Sequence, residues 1–87
     1  MPASNVNRRL GVIAIMVKDR ENAYAGLNKI LHDFERIIVG RLGVPYRERN
    51  VSIMALIVDG STDDIGALTG KIGQMKDVSV KSAFIKA

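Results

Sequence analysis

The hydrophobic positions of this chain fall into four strand-like runs and two helical stripes. Leu10-Gly-Val-Ile-Ala-Ile-Met-Val17 is apolar on both alternating sets of positions: Val12, Ala14 and Met16 on one, Ile13, Ile15 and Val17 on the other. A central strand, covered on both faces, reads this way. Asp19 suits a helix N-cap, and Arg20-Glu21-Asn22 opens the first helix. Ala23, Leu27, Ile30, Leu31 and Phe34 then recur every three or four residues and form one helix face. Ile37-Ile-Val39 predicts a short second strand, and Gly40 to Asn50, punctuated by Gly43 and Pro45, predicts a connecting loop. Val51 to Val58 repeats the two-sided apolar pattern, and Asp59-Gly60 predicts a turn. Ser61 and Asp64 stand at capping-box spacing, with Asp replacing the usual Glu, and open a second helix. Its buried stripe is Ile65, Leu68, Ile72 and Met75. Gly66, Gly70 and Gly73 each cost that helix up to ~1 kcal/mol against Ala, and close approach to a sheet would account for them. Val78 to Ile85 is the last strand.

The order β-α-β-β-α-β, with two right-handed crossovers, predicts an α+β fold: a ferredoxin-like sandwich. Its four-stranded antiparallel sheet has the order 4-1-3-2, with both helices on one face. Residues 1–8 are polar and aperiodic and are expected to be a frayed arm, leaving residues 9–87 as a single domain. Two helices cover only one face of such a sheet. Strands one and three are apolar on both faces, so the second face needs a cover, and a homo-oligomer packed through the sheet face, its edges or both is expected.

The same topology places the turn after strand one and the strand two–three hairpin at one end of the sheet. That gathers Lys18, Asp19 and Arg20 with Arg41, Tyr46, Arg47, Arg49 and Asn50. Cations beside a helix N-terminus suit a carboxylate, phosphate or nucleotide. The plainer reading is a solvated hairpin whose arginines keep a small protein soluble.

Composition narrows the chemistry. With 87 residues, 47% hydrophobic and 25% charged, the chain is long enough for one small folded domain and no more. It has no cysteine and one histidine, His32, which excludes disulfides, thiolate chemistry and any site needing several imidazoles. The formal charge of +4 is dispersed, and the four aromatic residues include no Trp, so no stacking platform for single-stranded nucleic acid is present. A direct nucleic-acid role is therefore not expected, although a basic arm with Arg41, Arg47 and Arg49 keeps DNA binding as an alternative. The longest apolar run, eight residues, is far below the ~20 that span a bilayer. The first residues hold no apolar signal core, and a cytoplasmic protein is expected.

Several motifs nearly match and fail on spacing. Gly66-Ala-Leu-Thr-Gly70-Lys71 has three residues between its glycines where a Walker A loop has four, and Ile72 follows where Ser or Thr is needed. Gly40 to Arg47 faintly resembles an acylphosphatase loop, but it follows the second strand instead of the first. Asp63-Asp64 reads as first-turn acids serving a helix dipole, and His32 as a helix-end histidine. No nucleophile can be matched with a base, so no catalytic residue, metal or cofactor is expected.

Arg9-Leu-Gly-Val-Ile-Ala-Ile15, Ile38-Val-Gly-Arg-Leu-Gly-Val-Pro-Tyr-Arg-Glu-Arg49, Ile57-Val-Asp-Gly-Ser-Thr-Asp-Asp-Ile-Gly-Ala-Leu-Thr-Gly-Lys71 and Val78-Ser-Val-Lys-Ser82 resemble the family of iron-only hydrogenase system regulators. The resemblance spans residues 9–83 and is most specific around Pro45-Tyr46-Arg47 and from Asp59 to Lys71. It implies a ferredoxin-like fold similar to ACT domains and to the sensor domain of the nickel-responsive regulator. It also implies a non-catalytic, oligomeric regulatory module tied to iron-only hydrogenase genes, binding a small ligand or a protein partner. The nickel site of that regulator needs several His and a Cys, which this chain lacks. The turn after strand one, Val17-Lys-Asp-Arg-Glu21, also lacks the glycine common in amino-acid-binding ACT domains.

Overall fold

The computed structural model describes residues 8–18 and 20–85, the side chains of residues 20–22 excepted. The elements are β1 (Arg8–Val17), α1 (Arg20–Asp33), a 3-10 turn (Glu35–Ile37), β2 (Ile38–Tyr46), a second 3-10 turn (Arg47–Arg49), β3 (Val51–Ser61), α2 (Thr62–Gly73) and β4 (Val78–Ile85). All pairings are antiparallel and the order is β2-β3-β1-β4, the expected topology. Arg8, assigned to the arm from sequence, opens β1 opposite Ser61. Residues 1–7 and the expected N-cap Asp19 lie outside the described residues.

One sheet face is the core. Ile13, Ile15 and Val17 of β1 and Met54, Leu56 and Val58 of β3 are buried there under Ala23, Leu27 and Leu31 of α1 and Ile65, Leu68 and Ile72 of α2. Each of these side chains larger than alanine contributes roughly 1.5–3 kcal/mol by leaving water, so the alternation in the strands and the helical stripes select the same layer.

Four local expectations need correction. β2 is longer than predicted and continues to Tyr46, so most of the supposed Gly40–Asn50 loop is strand. Leu42 pairs with Ala55 and Val44 with Ile53, which holds the register past a bulge at Val39. Pro45 and the two glycines are tolerated because β2 is an edge strand. Ile37 belongs to the 3-10 turn before β2 and is buried. Asp59-Gly60 makes no turn: β3 runs through both to Ser61. A Cβ on Gly60 would stand 2.9 Å from Ile37 Cγ2, so glycine serves a close approach there. In α2, by contrast, a Cβ on Gly66 or Gly70 would meet nothing within 4 Å, and only Gly73, 3.5 Å from Val80 Cγ1, lies near the sheet.

The second sheet face carries no helix. Pairing places Leu10, Val12, Ala14 and Met16 of β1 on it, beside Ile53, Ala55 and Ile57 of β3. Leu42, Val44 and Tyr46 of β2 join from one side. Ile85, Ala83 and Lys81 of β4 join from the other. Among the described residues no helix is long and apolar enough to cross a membrane.

Candidate functional site

The two chain reversals at one end of the sheet arise from local chemistry. Asn50 takes the left-handed conformation (φ 56°, ψ 40°) and its N–H donates to the Arg47 carbonyl at 3.0 Å, closing the 3-10 turn between β2 and β3. Asn adopts that conformation more readily than most residues because its side chain can bond locally. Lys18 leaves β1 with its backbone N–H donating to Asp77 O at 2.9 Å, which ties the turn to the start of β4.

Lys18, Tyr46, Arg47, Arg49 and Asn50 are therefore gathered at this end, all of them exposed. Among the described residues the side chains of Lys18, Arg47 and Arg49 make no ion pair. The N-terminus of α1 at Arg20 follows the Lys18 turn. Asp19 and the Arg20 side chain lie outside the described residues.

Arg41 stands apart. It pairs with Leu56 in mid-strand, five positions before Tyr46, which is ~17 Å along an extended chain. Its Nη2 donates to Asn28 Oδ1 of α1 at 3.4 Å. The hairpin extends as paired strand, so Arg41 is carried away from the tip where a loose loop would have allowed it to approach.

A residue missed from sequence is Ser52. It is 2% exposed, and its Oγ has no hydrogen-bond partner among the described residues. It sits on the core face of β3 opposite Val17 and Pro45, at the same end as the cations. The signal was available: Ser52 is the polar member of the inward set Ser52, Met54, Leu56 and Val58. An unpartnered buried hydroxyl costs about 1–3 kcal/mol.

At the opposite end, a cleft of about 300 Å³ is lined by Arg8, Arg36, Ile37, Asp59, Gly60, Ser61 and Asp64. Its charges are already compensated: Arg8 Nη2 meets Asp59 Oδ2 at 3.0 Å and Arg36 Nη2 meets Asp64 Oδ1 at 3.2 Å. Ser61 caps α2 by accepting from Asp64 N–H at 3.0 Å. Asp64 thus serves the cap with its backbone and Arg36 with its carboxylate. His32 is exposed, 3.7 Å from Glu35 Oε2. Among the described residues no three His, Cys, Asp or Glu side chains form a metal-binding group.

A βαββαβ sandwich with sheet order β2-β3-β1-β4 and one bare sheet face is an ACT-like, ferredoxin-fold domain. The ACT domain of a GTP pyrophosphokinase from Chlorobium tepidum superposes with a TM-score of 0.69 at 16% identity, over 88% of each chain, which shows the shared fold. A family model described as "Iron-only hydrogenase system regulator, putative" matches residues 9–82. The structure of the uncharacterized protein TM1266 from Thermotoga maritima is 43% identical, with a TM-score of 0.87, covering 91% of this chain and 99% of that one. The chain belongs to the iron-only hydrogenase system regulator family. No curated protein matches the sequence.

Proposed function

We propose that this chain is a non-catalytic regulatory module of an iron-only hydrogenase system that works as a homo-oligomer. In this reading a small anionic ligand binds at a subunit interface built around the hairpin end. The observation that carries it is the set of exposed cations Lys18, Arg47 and Arg49, which make no ion pair among the described residues, at the same end as the buried Ser52 hydroxyl, which has no partner among those residues. Arginine presents a planar fork to carboxylate or phosphate oxygens, and the adjoining α1 N-terminus adds backbone donors. Asp19, Arg20, Tyr46 and Asn50 complete the proposed site, and Arg41, held in mid-strand by Asn28, is left out of it. Family membership and the ACT-like fold support a regulator over an enzyme.

The test is thermal unfolding of the protein with millimolar dicarboxylates, inorganic phosphate and nucleotides in turn. A ligand at a hundred times its Kd adds ~2.7 kcal/mol to stability, roughly ten degrees or more for a domain this size. The expected result is a rise with one class of anion that is lost in the Arg47→Ala/Arg49→Ala variant. No response to any anion, or the same rise in that variant, overturns the ligand site.

A second reading, a protein-docking module without a ligand, is favoured by the β4 edge. It runs for eight residues without Pro, Gly or a break in register against β1, with Lys81 as its one charged residue, whereas edges are usually blunted by several such features. A stoichiometric partner together with no thermal response to anions would support it.

A further inference from the structure

Of the ten large apolar side chains exposed among the described residues, eight lie on the helix-free sheet face, the other two being Val39 at the bulge and Phe84 on the helix side. Of those eight, the most open are Leu42 (65%), Ile85 (62%) and Ile57 (51%). Ala14 and Ala55 face each other at the middle and make a shallow floor between them. Charge is nearly absent. Arg8 and Asp59 pair with each other at one end, and Lys81 sits on edge strand β4 opposite Ala14, where its stem can lie over the floor with its ammonium at the rim. An apolar centre with Met and Tyr among its residues and a thin polar rim is the anatomy of a protein interface.

Size agrees. Four strands ~4.8 Å apart and about nine residues at ~3.4 Å each give a footprint of roughly 19 by 30 Å. Two such faces stacked would remove on the order of 1,200 Å² before side-chain relief is added, the lower bound of a standard stable interface. A monomer seldom leaves a patch of this extent bare.

We infer that a second copy of this chain covers the open sheet face, the two sheets stacking face to face about a two-fold axis. The occupant is a second copy because the face is bare from the moment the domain folds. A nearly uncharged surface also lets two molecules of net charge +4 approach without placing their cations together. The inference deepens the homo-oligomer part of the reading above and does not depend on any ligand.

The test uses the 87-residue chain and its lack of cysteine. Sedimentation velocity at tens of micromolar is expected to give an even oligomer. Val12→Lys and Ile57→Glu, both on the open face, are expected to weaken self-association at least tenfold, with the far-ultraviolet circular dichroism retained. Gly70→Arg, placed where a side chain meets open space beside β4, is expected to leave the assembly intact. If the face variants fail to fold, Ala55→Cys supplies a second readout. Its maleimide labelling is expected to be at least tenfold slower than that of an exposed Lys76→Cys control, and to speed up on dilution.

A monomeric wild-type protein overturns both this inference and the homo-oligomer reading. An oligomer that survives the face variants but is dissolved by Gly70→Arg overturns the face alone and moves the interface to the β4 edge. Equal labelling of Ala55→Cys and Lys76→Cys also overturns the face.

Discussion

Phe84 lies across Gly11: a Cβ on Gly11 would stand 2.8 Å from Phe84 Cδ1 and 2.7 Å from the carbonyl oxygen of Ala83. The two residues face each other in the β1–β4 ladder, and the Arg9 guanidinium sits over the same ring, 4.4 Å from its centroid. An aromatic ring laid over a cross-strand glycine restores the packing that the missing side chain would supply. The cation adds ~0.5–1 kcal/mol at an exposed site. Gly11→Ala therefore forces ring and backbone apart and is expected to destabilise by about 1–3 kcal/mol. Urea unfolding followed by circular dichroism checks this, and an unchanged midpoint would show that the ring moves aside freely.

Ser61→Ala removes the acceptor for Asp64 N–H at the start of α2. The expected loss is ~1 kcal/mol, or roughly 4–8 °C in thermal midpoint. Ser61→Asp, which keeps an acceptor and favours the helix dipole, should recover most of it. Equal stability of the Ala and Asp variants would mean that the cap contributes little.

Gly66 and Gly70 lie in helix α2 with open space where their side chains would be. Gly66→Ala and Gly70→Ala are each expected to raise stability by up to ~1 kcal/mol, because alanine costs the helix less backbone entropy. Measured at increasing protein concentration, the gain should stay constant. A gain that reverses as concentration rises would reveal a second molecule against the cleft of about 410 Å³ that they line with Val80 and Lys81.

Ser52 supplies the opposite case, a buried polar group whose removal should cost nothing. Ser52→Ala is expected to leave stability unchanged or raise it by about 1 kcal/mol, since no hydrogen bond among the described residues is lost. A drop of more than 1 kcal/mol in chemical denaturation would show that the hydroxyl has a partner. Loss of the anion response in the same variant would place it in the ligand site.

Much of the fold was legible in the chain because its large energetic terms are periodic. Ile13, Ile15 and Val17 alternate, and Leu27 and Leu31 recur at a helical spacing, so each element declared its buried side. What misled was punctuation. Pro45, Gly40 and Gly43 read as loop, yet edge strand β2 tolerates them, since one side of an edge needs no hydrogen-bond donors. Gly60 read as a turn although Ile37, far away in sequence, is what excludes a side chain there. Gly66 and Gly70 carried the reverse error: close approach to the sheet was the reasonable reading, and nothing approaches.

The candidate site divides along the same line. The sequence by itself determined that Lys18, Arg47 and Arg49 share an end with the start of the first helix, because that follows from strand order alone. It determined equally that strands one and three are apolar on both faces. Only the tertiary structure decided that Arg41 leaves the cluster for Asn28 and that Ser52 is sealed in without a partner among the described residues. Only it, too, lined up eight large apolar side chains of the described residues on one bare face. The reason is physical: periodicity reports which side of an element avoids water, a property of each segment. Register, edge position and the neighbour that fills a given space are set between segments, when the strands pair and the helices settle on one face.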